Sequence, residues 1–444
     1  MLILKEYRGH IRNWQALCAD LGVSSDAGRR EREEGILLAA YKAWGTQMAD
    51  HIYGMFALAI WDDEKQELFC LRDQFGTKPF YYYQTAEGGL LFGTYIRDIL
   101  AQPGFEKELN EPMLQIYLSL TYAAGEETFF KGLKKLMPGH YLIWRADDAD
   151  RACGQPDGAA AGASCLGDHA VRGSGHIEVC RYWAPSFHPD EEKSLEDWAD
   201  EIHTTLQHIM TEVKTDDEKA ESFLSGGVDS SYVLAMSDAA WADTCGYEEA
   251  RFDESPLAAE TAAYLGRGLN RLIVQPEDFF GIVPFVMENM EQPLADASAI
   301  VFTLGCRAAA GHTKLCYSGE GSDEFFGGYN MYRNAGRYGD DLRTFYVGNT
   351  NIMKEDEKER ILLRYDPSVK PIDLVRYIYE EDEGLDPLTK MSDVDIRIWL
   401  EGDIYLNVDK MSTANGLEIR MPLTDRRIQR AAASIAYGAL KERQ

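Results

Sequence analysis

LSGGVDSS, residues 224–231, is the stretch that decides the fold of this 444-residue chain. It follows a short run typical of a strand, Glu221 to Leu224, and it opens a helical pattern that continues from Asp229 to Ala239. Adjacent glycines let the backbone turn tightly and bring its N–H groups against an anion, while the serines offer hydroxyl donors and the helix start adds partial positive charge. The stretch therefore predicts a phosphate-binding loop formed by Leu224, Ser225, Gly226, Gly227, Val228, Asp229, Ser230 and Ser231. The alternative is an ordinary helix cap made of Ser, Gly and Asp.

A second glycine-rich turn, SGEGSDEFFGGY at residues 318–329, follows another predicted strand, Lys314 to Tyr317. It places three carboxylates within five residues, at Glu320, Asp323 and Glu324. We expect Asp323 to share Mg²⁺ with Asp229 beside a polyphosphate, and Glu320 to position a nucleophile or move a proton. A solvated acidic turn is the alternative.

The region around both loops alternates short apolar strands with amphipathic helices. Helical patterns cover residues 255–266 and 297–310, and a strand pattern covers residues 271–274. This alternation predicts an α/β domain with a doubly wound parallel sheet. Both loops would leave the carboxyl ends of its strands, where open α/β sheets bind ligands.

The first part of the chain has a different pattern of apolar residues. Two hairpin patterns, at residues 55–71 and 80–92, and a helical pattern at residues 35–44 predict an α+β domain with antiparallel sheets. Small and polar residues replace the apolar pattern between about Arg145 and His176, which predicts a loop or linker. We therefore divide the chain into residues 1–145, a linker at 146–190, and residues 191–444.

The composition excludes several classes of protein. A formal net charge of −29 opposes binding to nucleic acid or to acidic membrane surfaces. The sequence shows no signal peptide and no apolar run of about 18 residues, which predicts a cytoplasmic protein. Its eight cysteines are too scattered for a disulfide scaffold, and those near the linker lack the close spacing of zinc ligands.

The chain resembles the asparagine synthetase family over nearly its whole length. Both loops match that family's active-site loops, and residues 292–298, 409–412 and 417–425 (QPLADAS, DKMS and LEIRMPLTD) are similar to other family segments. In the first region, residues 54–62, 72–79 and 138–141 (GMFALAIWD, RDQFGTKP and PGHY) resemble the family's class II glutamine amidotransferase domain.

The resemblance implies an ATP-dependent ligase that forms an acyl-adenylate on a carboxylate, in the parent activity that of aspartate, and then amidates it with ammonia. It implies that residues 225–231 hold pyrophosphate, that Asp229 and Asp323 hold Mg²⁺, and that Glu320 serves the amide-forming step. Nucleoside contacts would come from Leu224, Cys245, Ser318 and Gly319, although Cys245 is equally well explained as a buried residue. We also expect a homodimer.

The sequence departs from the family at its glutamine site. The chain begins with Met1 where the family has a nucleophilic Cys, and Arg8 and His10 stand at positions of an Asn and a Glu. Gly9 and Glu33 match the family pattern. We therefore expect a degenerate glutamine site, formed by Arg8, Gly9, His10 and Glu33, and a ligase that uses free or partner-delivered ammonia or another amine.

The chain also ends at Gln444, just before the position expected for the family's late catalytic Lys, and Lys441 is close to that position in sequence. We expect weakened adenylation in a fragment, a degraded copy or half of a split enzyme. Two rivals remain open at this stage. One is a superfamily ligase or cyclase that acts on another carboxylate and amine, and the other is a non-catalytic protein that binds a nucleotide or a partner.

Overall fold

The computed structural model describes residues 1–147, 164–165, 169–214, 219–335, 346–348 and 352–435. They form two compact units, one from residues 1–114 and 123–184 and the other from residues 115–122 and 185–444. Much of the predicted linker, residues 148–163 and 166–168, lies outside the described residues, as does Lys441.

The first unit contains two five-stranded antiparallel sheets. Their orders are β1-β2-β3-β7-β10 and β6-β4-β5-β9-β8. The strands are β1 (Leu2–Ile11), β2 (Gly54–Asp62), β3 (Glu67–Arg72), β4 (Tyr81–Gln84), β5 (Leu90–Gly93), β6 (Lys134–Lys135), β7 (His140–Ala146), β8 (Ser164–Cys165), β9 (Ala170–Arg172) and β10 (Gly175–Arg181). The helices are α1 (Trp14–Leu21), α2 (Arg29–Trp44), α3 (Met48–His51), α4 (Ile96–Leu100) and α5 (Glu111–Leu120), which continues into the second unit.

Both sequence-predicted hairpins are confirmed, since β2 pairs with β3 and β4 with β5, each in antiparallel register. Strand β2 is apolar at nearly every position because both of its faces are buried. Phe56, Leu58 and Ile60 pack with residues of α1 and α2, whereas Ala57 and Ala59 pack with strands of the other sheet.

The sequence did not predict β1, β9 and β10. In β1, charged residues interrupt the apolar pattern, and only pairing with β2 shows that the segment is a strand. Strands β9 and β10 lie in or beside the stretch interpreted as a linker. Strand β10 lies at the edge of its sheet and mixes polar with apolar residues, so its own sequence carries little strand signal.

The second unit is built on a five-stranded parallel sheet, which confirms the predicted α/β class. Its strands are β11 (Ala220–Phe223), β12 (Trp241–Gly246), β13 (Gly268–Ile273), β14 (Leu315–Tyr317) and β15 (Glu418–Arg420). The order is β13-β12-β11-β14-β15, so the direction of chain progression reverses between β11 and β14. Open α/β sheets bind their ligands at such a reversal, outside the carboxyl ends of the strands.

Helices surround this sheet. They are α6 (Leu195–Val213), α7 (Val228–Met236), α8 (Ser255–Tyr264), α9 (Pro276–Met290), α10 (Ser298–Ala309), α11 (Ser322–Phe326), α12 (Glu355–Ile361), α13 (Arg376–Glu381), α14 (Pro387–Val394), α15 (Tyr405–Ala414) and α16 (Arg426–Ser434), with a π-helix at Asp395–Ile404. The predicted helices at 229–239, 255–266 and 297–310 correspond to α7, α8 and α10. None of the helices in the described parts of the chain is both long enough and apolar enough to cross a bilayer.

Candidate nucleotide-binding site

The first loop leaves β11 and is anchored to the neighbouring strand. Leu224 is buried, and its backbone N–H donates to the carbonyl of Asp243 at 2.9 Å. Gly226 has φ +89°, and a Cβ there would lie 2.7 Å from the Cβ of Leu257. The loop therefore requires glycine at this position for both its backbone conformation and its packing against α8.

Serine side chains hold the loop in shape. The N–H of Ser225 donates to Ser230 Oγ at 3.2 Å, and the N–H of Gly227 donates to Ser225 Oγ at 3.2 Å. Helix α7 then begins at Val228 without a hydrogen bond from a capping side chain, and Val228 itself is exposed. The first turn thus presents uncapped amides and the positive end of the helix dipole, as an anion-binding site requires.

The second loop leaves β14 and touches the first loop. The N–H of Ser318 donates to the carbonyl of Arg420 at 2.9 Å, which holds the loop beside β15. At Gly319, a Cβ would lie 2.9 Å from the carbonyl carbon of Asp229 and 2.9 Å from the nitrogen of Ser230. The two loops therefore meet backbone to backbone at the start of α7, where only glycine fits.

Three carboxylates converge at this junction. Burial, followed by the charge of Asp229, raises the pKa of Asp323 to about 6. Burial and the charges of Asp323, Asp229 and Asp296 raise the pKa of Glu320 to about 7. Crowded acids repel one another and favour protonation unless a cation is present. Because carboxylate oxygens are the donors that Mg²⁺ prefers, Asp229 and Asp323 fit such an ion.

Thr424 and Tyr405 hold the second loop in position. Thr424 Oγ1 donates to the carbonyl of Glu320 at 2.9 Å and lies 2.9 Å from the hydroxyl of Tyr405. Gly321 has φ +92°, and a Cβ there would lie 2.4 Å from that hydroxyl and 2.6 Å from Thr424 Oγ1. Sequence reasoning missed the role of Thr424, although it lies within the LEIRMPLTD segment, and Tyr405 carries no sequence signal at all.

Glu324 does not share the environment of the other two acids of its turn. It is 1% exposed, and it accepts a hydrogen bond from the hydroxyl of Tyr329 at 2.8 Å. Burial raises the pKa of Glu324 well above its ordinary value. The carboxyl group of Glu324 is thus buried and hydrogen-bonded to Tyr329. It does not belong to the group formed by Asp229, Glu320 and Asp323.

Cys245 lies on β12 beneath α10. Its side chain lines a cavity of about 150 Å³ whose other lining residues come from β11, β12, β13, α10 and His312, and none belongs to residues 225–231 or 318–321. A Cβ on Gly305 would lie 3.2 Å from Cys245 Sγ. Burial raises the pKa of the Cys245 thiol to about 11, so the side chain is a neutral wall of this cavity.

In the first unit, the four residues of the expected degenerate glutamine site divide between the two faces of β1. Gly9 and Glu33 lie together, because Arg29 contacts the carbonyl of Gly9 at 3.3 Å and a carboxylate oxygen of Glu33 at 3.4 Å. Glu33 also accepts hydrogen bonds from the hydroxyl of Tyr7 and the N–H of Ile11, at 2.8 and 3.0 Å.

Arg8 and His10 alternate with Gly9 along β1 and therefore point to the opposite face. The guanidinium of Arg8 lies 4.5 Å from the centre of the Tyr95 ring, and His10 is 3% exposed. At Gly9 itself, with φ +124°, a Cβ would lie 1.9 Å from the carbonyl oxygen of Met55. The structure thus separates Arg8 and His10 from Glu33.

Two touching glycine loops at the reversal point of a parallel sheet, with acids at their junction, are typical of phosphate-binding α/β proteins. The asparagine synthase family model matches residues 201–439, and that of the glutamine amidotransferase domain matches residues 3–153. The chain belongs to the asparagine synthase family.

Curated relatives agree with this assignment. The chain is 28% identical over 471 residues to asparagine synthetase (glutamine-hydrolyzing) 1 of Bacillus subtilis strain 168, an alignment that covers 97% of this chain and 69% of that protein. A putative asparagine synthetase (glutamine-hydrolyzing) of Mycobacterium tuberculosis H37Rv is 28% identical over 477 residues, with coverage of 98% and 69%. Amidase chry2 of Gibberella zeae is 28% identical over 323 residues, with coverage of 67% and 43%.

Proposed function

We propose that the second unit uses ATP to activate a carboxylate, with the side chain of aspartate as the first candidate, and then converts it to an amide. A carboxylate oxygen attacks the α-phosphorus of ATP, and the bond from that phosphorus to the bridging oxygen breaks to release pyrophosphate. Ammonia next attacks the acyl carbon of the adenylate, loses a proton and displaces AMP. The packing of Gly319 on the first turn of α7 supports this proposal most directly, because it puts both loops around one space.

Each residue contributes through its place in that space. The amides and hydroxyls of residues 225–231 bind the pyrophosphate portion, and Leu224, Ser318 and Gly319 line the nucleoside portion. The side chain of Cys245 lines a separate cavity and is left out of this role. Asp229 and Asp323 would hold Mg²⁺, which would offset the charge of the phosphates. The carboxyl group of Glu320, whose pKa is raised to about 7, suits a group that accepts a proton near neutral pH.

We further propose that free ammonia, rather than glutamine, supplies the nitrogen. Glu33 already binds Arg29, Tyr7 and the backbone of Ile11, so its carboxylate is engaged within the unit. The bulky Arg8 and the buried His10 lie on the other face of β1. The test compares steady-state rates with glutamine and with ammonium chloride as the nitrogen donor. A rate with glutamine equal to the rate with ammonium chloride at pH 7 would contradict the proposal.

The central experiment follows ¹⁸O from the substrate. Aspartate labelled in its side-chain carboxylate is incubated with ATP, Mg²⁺ and ammonium chloride, and the products are analysed by mass spectrometry. Adenylation transfers one labelled oxygen to AMP, because the carboxylate oxygen that attacked phosphorus leaves with it. Label in inorganic phosphate together with ADP formation would instead indicate an acyl phosphate and refute the proposed chemistry.

Asp323→Asn provides the test of the site, and Asp200→Asn, an exposed acid on α6, provides the matched control. AMP formation should be lost only in the first variant.

If aspartate is inert while another carboxylate in a panel supports pyrophosphate release, the chain is a ligase or cyclase with a different substrate. Nucleotide binding without AMP formation at high ammonia would support the non-catalytic alternative. A homodimer, to be measured by light scattering, and a cytoplasmic location both stay predictions.

A further inference from the structure

A second group of polar side chains lies in the parallel sheet, nearer the amino-terminal ends of its strands than the two loops. Glu221 is on β11, Asp243 on β12 and Asn270 on β13, and the register pairs Asp243 with both Phe223 and Asn270. Because side chains alternate along a strand, all three point to the face of the sheet that α10 covers. His312, between α10 and β14, completes the cluster.

The side chains of this cluster lie within ion-pair distance of one another. His312 Nδ1 lies 2.9 Å from Glu221 Oε2, and His312 Nε2 lies 3.6 Å from Asp243 Oδ1. One donor atom from each of Glu221, Asp243 and His312 fits within a group no wider than 4.8 Å. Asn270 Nδ2 approaches both carboxylates at 3.3 Å, and exchange of its amide nitrogen and oxygen would turn an oxygen toward the same point.

One buried carboxylate oxygen of the cluster has no hydrogen-bond partner in the part of the chain that the structure describes. Asp243 is 5% exposed, and its Oδ2 has no hydrogen-bond partner among the described residues. A buried carboxylate oxygen without a partner is costly in free energy, and a second carboxylate beside it increases that cost. Either a cation or a proton shared between the two acids would lower this free-energy cost.

The cluster also has room and an entrance. Asp243, Asn270 and His312 line the cavity of about 150 Å³ that also contains Cys245, which is ample for an ion with bound waters. The His312 side chain is 41% exposed, while those of Glu221 and Asp243 are 13% and 7% exposed. An ion can therefore enter past the imidazole and reach largely buried carboxylates.

We propose that Glu221, Asp243 and His312 form a binding site for a divalent transition-metal ion of the Zn²⁺ type, distinct from the magnesium nucleotide site. Two carboxylate oxygens and one imidazole nitrogen give three protein ligands, and a water or the Asn270 amide oxygen supplies a fourth. The imidazole favours Zn²⁺ and related ions over Mg²⁺, which prefers oxygen ligands alone. Bound metal would join β11, β12 and the turn before β14, and would thereby stabilise the sheet that carries both loops.

The test uses the full chain, freed of metal with a chelator, in the absence of nucleotide. All variants carry Asp323→Asn so that the loop junction does not contribute. Co²⁺ is titrated at pH 7.5 and followed by its visible absorption bands, and Zn²⁺ is then added as a competitor. We expect a single bound Co²⁺ that Zn²⁺ displaces, together with a higher midpoint of thermal unfolding when metal is present.

Asp243→Asn and His312→Ala should each weaken Co²⁺ binding at least about 100-fold, since loss of outer-shell partners alone costs about 10–100-fold. Both should also remove the thermal shift. His208→Ala, an exposed histidine on α6, is the matched control and should bind Co²⁺ as before. The proposal is overturned if the parent chain binds no Co²⁺, or if Asp243→Asn and His312→Ala bind it unchanged.

Discussion

Replacing Gly319 with alanine tests the contact between the two loops. The added Cβ would lie 2.9 Å from the carbonyl carbon of Asp229 and from the nitrogen of Ser230. Non-bonded carbon atoms prefer separations of about 3.5–4.0 Å, so the loops must move apart by roughly 0.6–1 Å. A misplacement of about 1 Å at reacting groups lowers a rate by roughly 100-fold, and overpacking of this kind costs about 1–3 kcal/mol of stability.

The measurements are ATP–pyrophosphate exchange, which reports adenylation, and urea unfolding, which reports stability. Gly281→Ala is the matched control, because a Cβ at Gly281 on α9 meets nothing within 4 Å. The control should keep full exchange and gain about 0.5–1 kcal/mol of stability, as expected for Gly to Ala in a helix. Exchange at the parental rate in a folded Gly319→Ala protein would refute the argument that loop contact positions the chemistry.

Three further predictions concern the second unit. Asp323→Asn should lower AMP formation about 100-fold or more, because it removes a carboxylate proposed to hold Mg²⁺ beside the phosphates, while Asp200→Asn should not. Thr424→Val removes the hydrogen bond to the carbonyl of Glu320, and it should cost about 1 kcal/mol in urea unfolding together with a reduced exchange rate. For Asp403, which is 2% exposed, burial raises the pKa from 3.8 to about 7. The folded state then holds this proton more tightly than the unfolded state, so stability should fall as pH rises from about 4 to 7, and Asp403→Asn should flatten that dependence and raise stability at pH 8.

Each of these three predictions can be contradicted by a specific result. Normal AMP formation by Asp323→Asn would remove that residue from the site, and an unchanged exchange rate in Thr424→Val would show that the second loop holds its shape without the threonine. A stability profile of Asp403→Asn that keeps the full slope between pH 4 and 7 would assign the titration to other buried acids.

The elements found from sequence are those whose signal is local. Strand β11, the loop and α7 are contiguous, and the apolar run, the glycines and the helical spacing each act over a few residues. Strand β12 was not predicted, because Asp243 and Thr244 interrupt its apolar pattern. Asp243 lies beside Glu221 and His312, which come from other parts of the chain, so its place in the strand follows from tertiary contacts.

The sequence by itself determined the two glycine-rich loops and the strand-to-helix alternation, because backbone freedom and hydrophobic periodicity are properties of short segments. Only the tertiary structure decided that Gly319 rests on Asp229 and that Glu324 is buried against Tyr329. The same holds for the separation of Arg8 from Glu33 across β1. These relations depend on how distant strands pair and which face each side chain takes, and sheet order is set by packing of the whole chain rather than by any one segment.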